Sequence, residues 1–215
     1  MNPISNIAFD LGGVIVALSH DNAVRRFEEI GLKDARQHLD PFCQQGIFGD
    51  LESGSITPEE FCEQLSGLVG RTLSMDECFY AWHGYVESVP QRNLDMLLEL
   101  REMDNKVCLL SNTNPFMMQW ARSDQFSASA EDLHDGYPIN HYFDHLYLSF
   151  ECKVMKPSPE IFRMMLEGQN ASAEETLFID DSPRNVEVAR SLGIQTLCPH
   201  NNEDWIPSLR SSLGI

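Results

Sequence analysis

Short apolar segments recur along most of the chain, separated by stretches with helical spacing. We predict strands at residues 7–9, 106–110, 143–149, 176–179 and 194–198. Apolar runs of this length, without regular polar alternation, are typical of strands buried on both faces of a parallel sheet. The alternation of such strands with helices predicts an α/β fold with a doubly wound parallel sheet.

Several predicted helices begin with a capping residue followed by proline, which suits the first helical position. These pairs are Thr57-Pro58, Asn114-Pro115, Ser158-Pro159 and Ser182-Pro183. Further helical patterns cover residues 22–30, 74–86 and 93–103 and the C-terminal segment from residue 204. The polar, turn-rich stretch 123–141 predicts a long surface loop.

The segment between residues 17 and 89 has helical patterns and no convincing strand pattern. We therefore divide the chain into an α/β core, formed by residues 1–16 and 90–215, and a helical insertion formed by residues 17–89.

Polar residues follow or adjoin several of the predicted strands. They are Asp10, Ser111 with Asn112, Lys156, and the pair Asp180 and Asp181. Because parallel strands end at one edge of the sheet, we expect these residues to meet there. Clustered carboxylates need a cation, and oxygen ligands without histidine or cysteine suit Mg²⁺. A hydroxyl, backbone amides at helix starts and one lysine suit phosphoryl oxygens.

The composition excludes several classes of partner. The formal charge is −18, and only four of the 215 residues are lysines, which argues against nucleic acid and anionic membranes. No apolar run is long enough to cross a bilayer, and no secretory signal is visible. The six cysteines are scattered, without a C-x-x-C pair, so we predict a reduced, cytoplasmic protein. Cys108 lies in an apolar run and is expected to be a buried free thiol.

In this order, the polar residues resemble the four motifs of the haloacid dehalogenase-like (HAD) superfamily. Asp10-Leu11-Gly12 is similar to the first motif, Asp-x-Asp, and Ser111 to the hydroxyl residue of the second. Lys156 matches the lysine of the third motif, and Asp180-Asp181 matches the acidic pair of the fourth. The insertion 17–89 falls where many members carry a helical cap, so the resemblance implies a Rossmann-like HAD core with an inserted cap.

The resemblance also implies a role for each site residue. Asp10 would be the nucleophile that accepts a phosphoryl group. Ser111 and the amide of Asn112 would hold the transferring oxygens, and Lys156 would neutralise their charge. Magnesium would bind four protein groups, three of them directly and the fourth, Asp180, either directly or through water. These ligands are Asp10, the backbone carbonyl of Gly12, Asp181 and Asp180.

Gly12 departs from the family pattern, because phosphatase members have a second aspartate there that serves as general acid and base. Proton transfer of this kind contributes about 10²–10⁴ in rate. A glycine at this position also resembles a bacterial subgroup with the motif Asp-Leu-Gly-Asn, which is similar to sugar-1-phosphate phosphatases, so the glycine does not imply a loss of activity. His20 and Asp21 are candidate replacements, although His20 could instead be an exposed hinge residue and Asp21 the cap of the following helix.

The leading hypothesis is a magnesium-dependent phosphatase of small phosphorylated metabolites, with sugar phosphates as the expected substrates, acting as a monomer or homodimer. A 2-haloacid dehalogenase also lacks the second aspartate, but it would leave the acidic pair unexplained. A phosphonate hydrolase would need a cap lysine, for which Lys33 is the candidate. The remaining alternative is a catalytically weak module that binds phosphate.

Overall fold

The computed structural model describes residues 3–40, 44–128 and 136–215. A five-stranded parallel sheet has the order β5-β4-β1-β6-β7, and a separate two-stranded antiparallel sheet joins β2 to β3. The strands are β1 Asn6–Phe9, β2 Ala17–Leu18, β3 Val86–Ser88, β4 Lys106–Ser111, β5 His145–Leu148, β6 Thr176–Ile179 and β7 Gln195–Leu197.

The predicted doubly wound sheet is confirmed, with β1 at its centre. Ile7 lies beside Val107 of β4 and Leu177 of β6, and all four residues of β1 are buried. Ile7 and Phe9 pack into one hydrophobic cluster, whereas Ala8 packs into another on the opposite face. Burial on both faces explains why this strand has an uninterrupted apolar sequence.

The described residues contain eleven α-helices and four short 3₁₀ helices. The α-helices are α1 His20–Glu29, α2 Ala35–His38, α3 Gly46–Glu52, α4 Pro58–Val69, α5 Met75–Trp82, α6 Gln91–Glu102, α7 Pro115–Ala121, α8 Ser149–Cys152, α9 Pro159–Gln169, α10 Pro183–Ser191 and α11 Ile206–Leu213. The 3₁₀ helices are His83–Tyr85, Asp124–Phe126, Ile139–His141 and Ala173–Glu175.

Most of the predicted helix starts are confirmed by side-chain hydrogen bonds. Thr57 and Glu60 form a reciprocal capping box, and Asn114 and Ser158 each accept a bond from the first turn. Ser182 holds the N-cap position of α10 but does not cap it with its side chain. Asp21 does not cap α1, as one interpretation of the sequence held, because Ser19 performs that function.

Several element boundaries differ from the predictions, and the larger differences are as follows. Segment 17–89 contains β2 and β3, which are too short to leave an alternating pattern in the sequence. The helix predicted over 74–86 ends at Trp82, and a 3₁₀ turn leads into β3. The strand predicted over 143–149 is shorter: β5 begins only at His145, and it ends at Leu148 because Ser149 begins α8. In the predicted loop 123–141, the described part contains two 3₁₀ turns, and residues 129–135 lie outside the described residues.

The helices between β2 and β3 are held together by aromatic packing. The rings of Phe27, Phe48, Phe61 and Trp82 contact one another with centroids 5.3–5.9 Å apart. These residues belong to the same hydrophobic cluster as Ile7 and Phe9 of the core sheet. Across the described ranges, no helix has the length and apolarity needed to cross a membrane.

Candidate active site

A cavity of about 110 Å³ is lined by Asp10, Ser111, Asn112, Lys156 and Asp181, whereas Asp180 is fully buried and does not line it. Asp10 and Ser111 stand at the carboxyl ends of β1 and β4, and Asp181 follows β6 by two residues. Lys156 enters from the segment between α8 and α9. The structure therefore brings together residues that are up to 171 positions apart in the sequence.

Lys156 is the cationic centre of this cluster and is almost completely buried. Its Nζ lies 2.9 Å from Asp10 Oδ1 and 2.7 Å from Asp180 Oδ2. Burial alone would lower the pKa of the ammonium group, but the charges of Asp10 and Asp180 outweigh it and raise that pKa. Lys156 is therefore positively charged throughout the physiological range.

Asn112 fixes the backbone of Lys156. Its side-chain Nδ2 donates to the carbonyl of Lys156 at 2.9 Å, and its Oδ1 accepts from the amide of Lys156 at 2.8 Å. This two-point amide contact ties the end of β4 to the lysine segment. The side chain of Asn112 is thus committed to positioning, and the backbone amide is the group that remains for a ligand.

Asp180 has little coordination capacity left. Its Oδ1 accepts from the amide of Ser182 at 2.8 Å and from Asn185 Nδ2 at 3.1 Å, and its Oδ2 accepts from Lys156 Nζ and again from Asn185, at 3.0 Å. A carboxylate offers about four acceptor positions. Because these are taken by protein donors, Asp180 primarily orients Lys156 and the start of α10.

Asp10 and Asp181 are more open, and their ionised forms are destabilised. Burial raises the pKa of Asp10 to about 7, and the nearby carboxylates add to this effect although Lys156 opposes it. Burial, followed by the charge of Asp180, raises the pKa of Asp181 to about 6. Asp10, Asp180 and Asp181 each offer one oxygen, and these oxygens lie within 4.8 Å of one another. A hard divalent cation fits this oxygen donor set and would stabilise the ionised carboxylates.

The two glycines after Asp10 have different structural roles. Gly13 has φ +76°, and a Cβ atom there would lie 2.0 Å from Asp181 Oδ2, so the close approach of Asp181 requires glycine. Gly12 has ordinary backbone angles, and a Cβ atom there would meet only the end of the Leu18 side chain, at 2.7 Å. The missing second aspartate is therefore not excluded by backbone geometry.

The residues suggested from segment 17–89, which are His20, Asp21 and Lys33, are absent from the described lining of this cavity. The Nε2 atom of His20 lies 3.1 Å from the carbonyl of Leu39, and Asp21 pairs with Arg36 at 2.6 Å on the surface. Neither residue lines the cavity in the described part of the chain, and nor does Lys33. The hypothesis that His20 or Asp21 replaces the missing acid and base therefore lacks structural support.

Sequence reasoning missed Glu52, at the end of α3. Its side chain is buried, with 8% of the residue exposed, and it lines the same cavity as Asp10. Burial, followed by the charge of Asp10, raises the pKa of Glu52 to about 8. The signal in the sequence was a glutamate on the same helical face as Phe48, one turn earlier, where an apolar residue is expected.

Comparisons with known proteins agree with this geometry. The model of the haloacid dehalogenase-like hydrolase family matches residues 77–193. The chain is 46% identical over 202 residues to D-ribitol-5-phosphate phosphatase of Bacteroides thetaiotaomicron, covering 94% of this chain and 95% of that protein.

Two solved structures share the whole fold. A HAD-like family hydrolase of Porphyromonas gingivalis has a TM-score of 0.90 at 40% identity, with 98% of each chain covered. A HAD family enzyme of Bacteroides thetaiotaomicron, in complex with magnesium and inorganic phosphate, has a TM-score of 0.86 at 36% identity, covering 96% of this chain and all of that one. Together, the matched motifs, the sheet topology and these similarities show that this chain belongs to the haloacid dehalogenase-like hydrolase family.

Proposed function

We propose that this protein is a magnesium-dependent phosphatase of small phosphorylated metabolites, with sugar and polyol phosphates as its substrate class. The observation that carries the proposal is the cluster of Asp10, Asp181 and the buried Lys156 at the carboxyl edge of the sheet. The 46% identity to a ribitol phosphate phosphatase supports the substrate class.

The charge balance of the cavity supports a need for a divalent cation. Asp10, Asp180 and Asp181 together outweigh the single positive charge of Lys156. A phosphate monoester brings further negative charge to the same place, and like charges in a buried site are strongly unfavourable. A cation that joins the carboxylates removes this conflict.

The residues present fit magnesium. Asp10 and Asp181, with the backbone carbonyl of Gly12, would hold the ion directly, and Asp180 would contribute through water because its oxygens already accept hydrogen bonds. When bound, magnesium supplies Lewis-acid polarisation of the phosphoryl oxygens.

The chain itself supplies the remaining functions. Asp10 attacks phosphorus and forms an aspartyl phosphate, which water then hydrolyses. The Ser111 hydroxyl and the backbone amide of Asn112 bind the transferring oxygens. Lys156 compensates their charge from a position fixed by Asn112 and Asp180.

The division into core and cap also forms part of the proposal. Residues 1–16 and 90–215 supply the catalytic edge of the sheet, whereas segment 17–89 supplies Leu18, Trp82 and Tyr85 to the cavity. These apolar and aromatic groups are suited to contact the organic part of the substrate.

We further propose a cytoplasmic protein that acts as a monomer or homodimer. The location is supported by Cys62, Cys78, Cys108, Cys152 and Cys198, which are free thiols. Among the alternatives, haloacid hydrolysis leaves the acidic cluster without a purpose, and phosphonate hydrolysis lacks its lysine because Lys33 is not at the cavity. A catalytically weak phosphate-binding module would have no need for a nucleophile, yet Asp10 is present beside Lys156.

The test is a screen of phosphorylated sugars and polyols, including ribitol 5-phosphate, with Mg²⁺ and with excess chelator. We expect hydrolysis only with Mg²⁺, a rise in melting temperature on adding Mg²⁺ to the wild type, and loss of both in Asp181→Asn. The surface variant Asp50→Asn is the matched control, since it makes the same chemical change at an exposed carboxylate. Undiminished hydrolysis in chelator, or by Asp10→Asn, would refute the assignment.

A further inference from the structure

We propose that Glu52 is the general acid and base of this enzyme, and that it replaces, from the cap, the aspartate that Gly12 lacks. This assignment rests on the proposed phosphatase function. It concerns a residue that none of the four motifs contains and that the sequence did not single out.

The first argument is position. In an in-line displacement the leaving oxygen lies opposite the nucleophile. The core supplies Asp10 from the end of β1, and segment 17–89 supplies residues that line the same cavity. Among the described lining residues of that segment, Glu52 is the one carboxylic acid. It therefore places an exchangeable proton in the part of the cavity that the cap contributes.

The second argument is that the carboxyl group of Glu52 is available. It is more than nine-tenths buried, yet none of the described residues donates a hydrogen bond to it. Because Glu52 also lines the cavity, a molecule bound there can form hydrogen bonds with its carboxyl group. The leaving oxygen of a phosphate ester, and later the attacking water, can form such bonds.

The third argument is that Glu52 is carried by a docked part of the cap. The hydroxyl of Ser149, the residue that follows β5, lies 2.6 Å from the backbone carbonyl of Glu52 and donates to it. The Ser149 hydroxyl oxygen also accepts from the amide of Thr113, two residues after Ser111. Lys153 donates to the carbonyl of Gly54. These bonds tie the end of α3 to the catalytic edge of the sheet.

The protonation state suits the task. The charged and titratable groups that act on Glu52 are Asp10, Lys156 and the phenol of Tyr85. Burial and the charge of Asp10 raise the pKa of Glu52, while Lys156 opposes them, so the carboxyl group carries a proton at neutral pH. A general acid is most effective when its pKa lies near the working pH.

The two chemical steps balance with this residue alone as proton carrier. In the first, Asp10 bonds to phosphorus, the bond from phosphorus to the leaving oxygen breaks, and that oxygen keeps the electron pair and takes the proton of Glu52. In the second, water bonds to phosphorus and gives a proton to the Glu52 carboxylate. The bond between phosphorus and Asp10 breaks, its electron pair returns to Asp10, and inorganic phosphate leaves.

The test compares Glu52→Gln, Glu52→Asp and Asp50→Asn with the wild type, in Mg²⁺, on three kinds of substrate. These are ribitol 5-phosphate, a simple alkyl phosphate without hydroxyls, and 4-nitrophenyl phosphate, whose phenolate departs without a proton. Asp50 lies on the same helix but is exposed, so Asp50→Asn is expected to keep wild-type kinetics. Circular dichroism verifies folding.

For Glu52→Gln we expect kcat on both alkyl substrates to fall about 10²–10³-fold, within the range for general acid–base catalysis. With 4-nitrophenyl phosphate we expect a burst of one phenolate per enzyme followed by slow turnover, because the first step no longer needs the proton but the second still does. We also expect Glu52→Asp to recover part of the lost kcat. The pH profile of kcat for Glu52→Gln is expected to lack one limb of the wild-type profile.

Two results would overturn the assignment. One is a kcat of Glu52→Gln within about threefold of the wild type on the simple alkyl phosphate, which lies below the effect of a general acid or base. The other is an effect confined to KM for ribitol 5-phosphate, which would make Glu52 a residue that binds substrate hydroxyls. Failure of the wild type to hydrolyse any phosphate ester in Mg²⁺ is a different outcome, since it overturns the proposed function itself.

Discussion

The buried carboxyl group of Glu52 predicts that Glu52→Gln stabilises the protein in the absence of Mg²⁺. Burial, followed by the charge of Asp10, raises the pKa of this group from 4.5 to about 8. A raised folded-state pKa means that the folded protein binds a proton that the unfolded chain has released. The free energy of unfolding of the protein therefore falls as the pH rises from the unfolded-state pKa of this group through its folded-state pKa. Glutamine has nearly the same shape and does not titrate, so it removes this loss.

The magnitude follows from the two pKa values. At about pH 7 the carboxyl group is ionised in the unfolded chain and must regain its proton on folding. The pH then lies roughly two and a half units above the unfolded-state pKa, and each unit costs about 1.36 kcal/mol, so the loss of folding free energy is about 3 kcal/mol. At about pH 5 the same comparison gives roughly 1 kcal/mol. For a chain of this length, about 3 kcal/mol corresponds to a rise in melting temperature of roughly 6–12 °C.

The assay is urea and thermal unfolding of both proteins, with chelator, across the range from about pH 5 to about pH 8. We expect the difference in unfolding free energy to grow with pH and to exceed that of the control Asp50→Asn, which is an exposed change within about 0.5 kcal/mol. A Glu52→Gln protein that is no more stable than the wild type near neutral pH, or a difference that does not change with pH, would refute the reasoning.

Two further predictions concern the glycine turn. Gly13→Ala is expected to abolish the stabilisation by Mg²⁺ measured in melting curves, because its Cβ would displace Asp181 and its backbone has positive φ. Gly12→Ala is expected to keep that stabilisation, because only the end of the Leu18 side chain must move. Equal responses of the two variants to Mg²⁺ would contradict this prediction. The double variant Gly12→Asp, Glu52→Gln is expected to hydrolyse alkyl phosphates at least about tenfold faster than Glu52→Gln in steady-state assays, because it has a carboxylate beside the nucleophile. If a folded double variant shows no gain, the defect of Glu52→Gln is not the loss of a proton carrier.

The sequence was sufficient to predict the five-stranded sheet but insufficient to predict the strands of segment 17–89. β1 and β6 are buried on both faces, so their apolar runs are visible without any tertiary information. β2 and β3 have only two and three residues, and their pairing depends on how the two ends of segment 17–89 meet. Local patterns do not contain that information, so these strands were missed.

The same distinction explains which site residues could be predicted. Asp10 and Ser111 are displayed at the ends of parallel strands, and topology alone brings such positions together. Glu52 reaches the cavity because α3 packs on the core through Ser149, nearly one hundred positions away. Its local signal, an acidic residue on an apolar helix face, equally suits a satisfied surface glutamate, so only the packed structure separates the two.

The energetics of the cavity connect its stability to its proposed chemistry. Asp10, Asp181 and Glu52 all have pKa values raised chiefly by burial, so folding has placed three carboxyl groups where their ionised forms are unfavourable. A site optimised for stability alone would replace them with neutral groups, and selection for function commonly retains such costs. A cation would hold Asp10 and Asp181 in the ionised form that a nucleophile and a ligand need. For Glu52, burial and the charge of Asp10 outweigh the opposing charge of Lys156, so it keeps its proton. In the proposed mechanism, this difference between buried carboxyl groups separates the nucleophile from the acid.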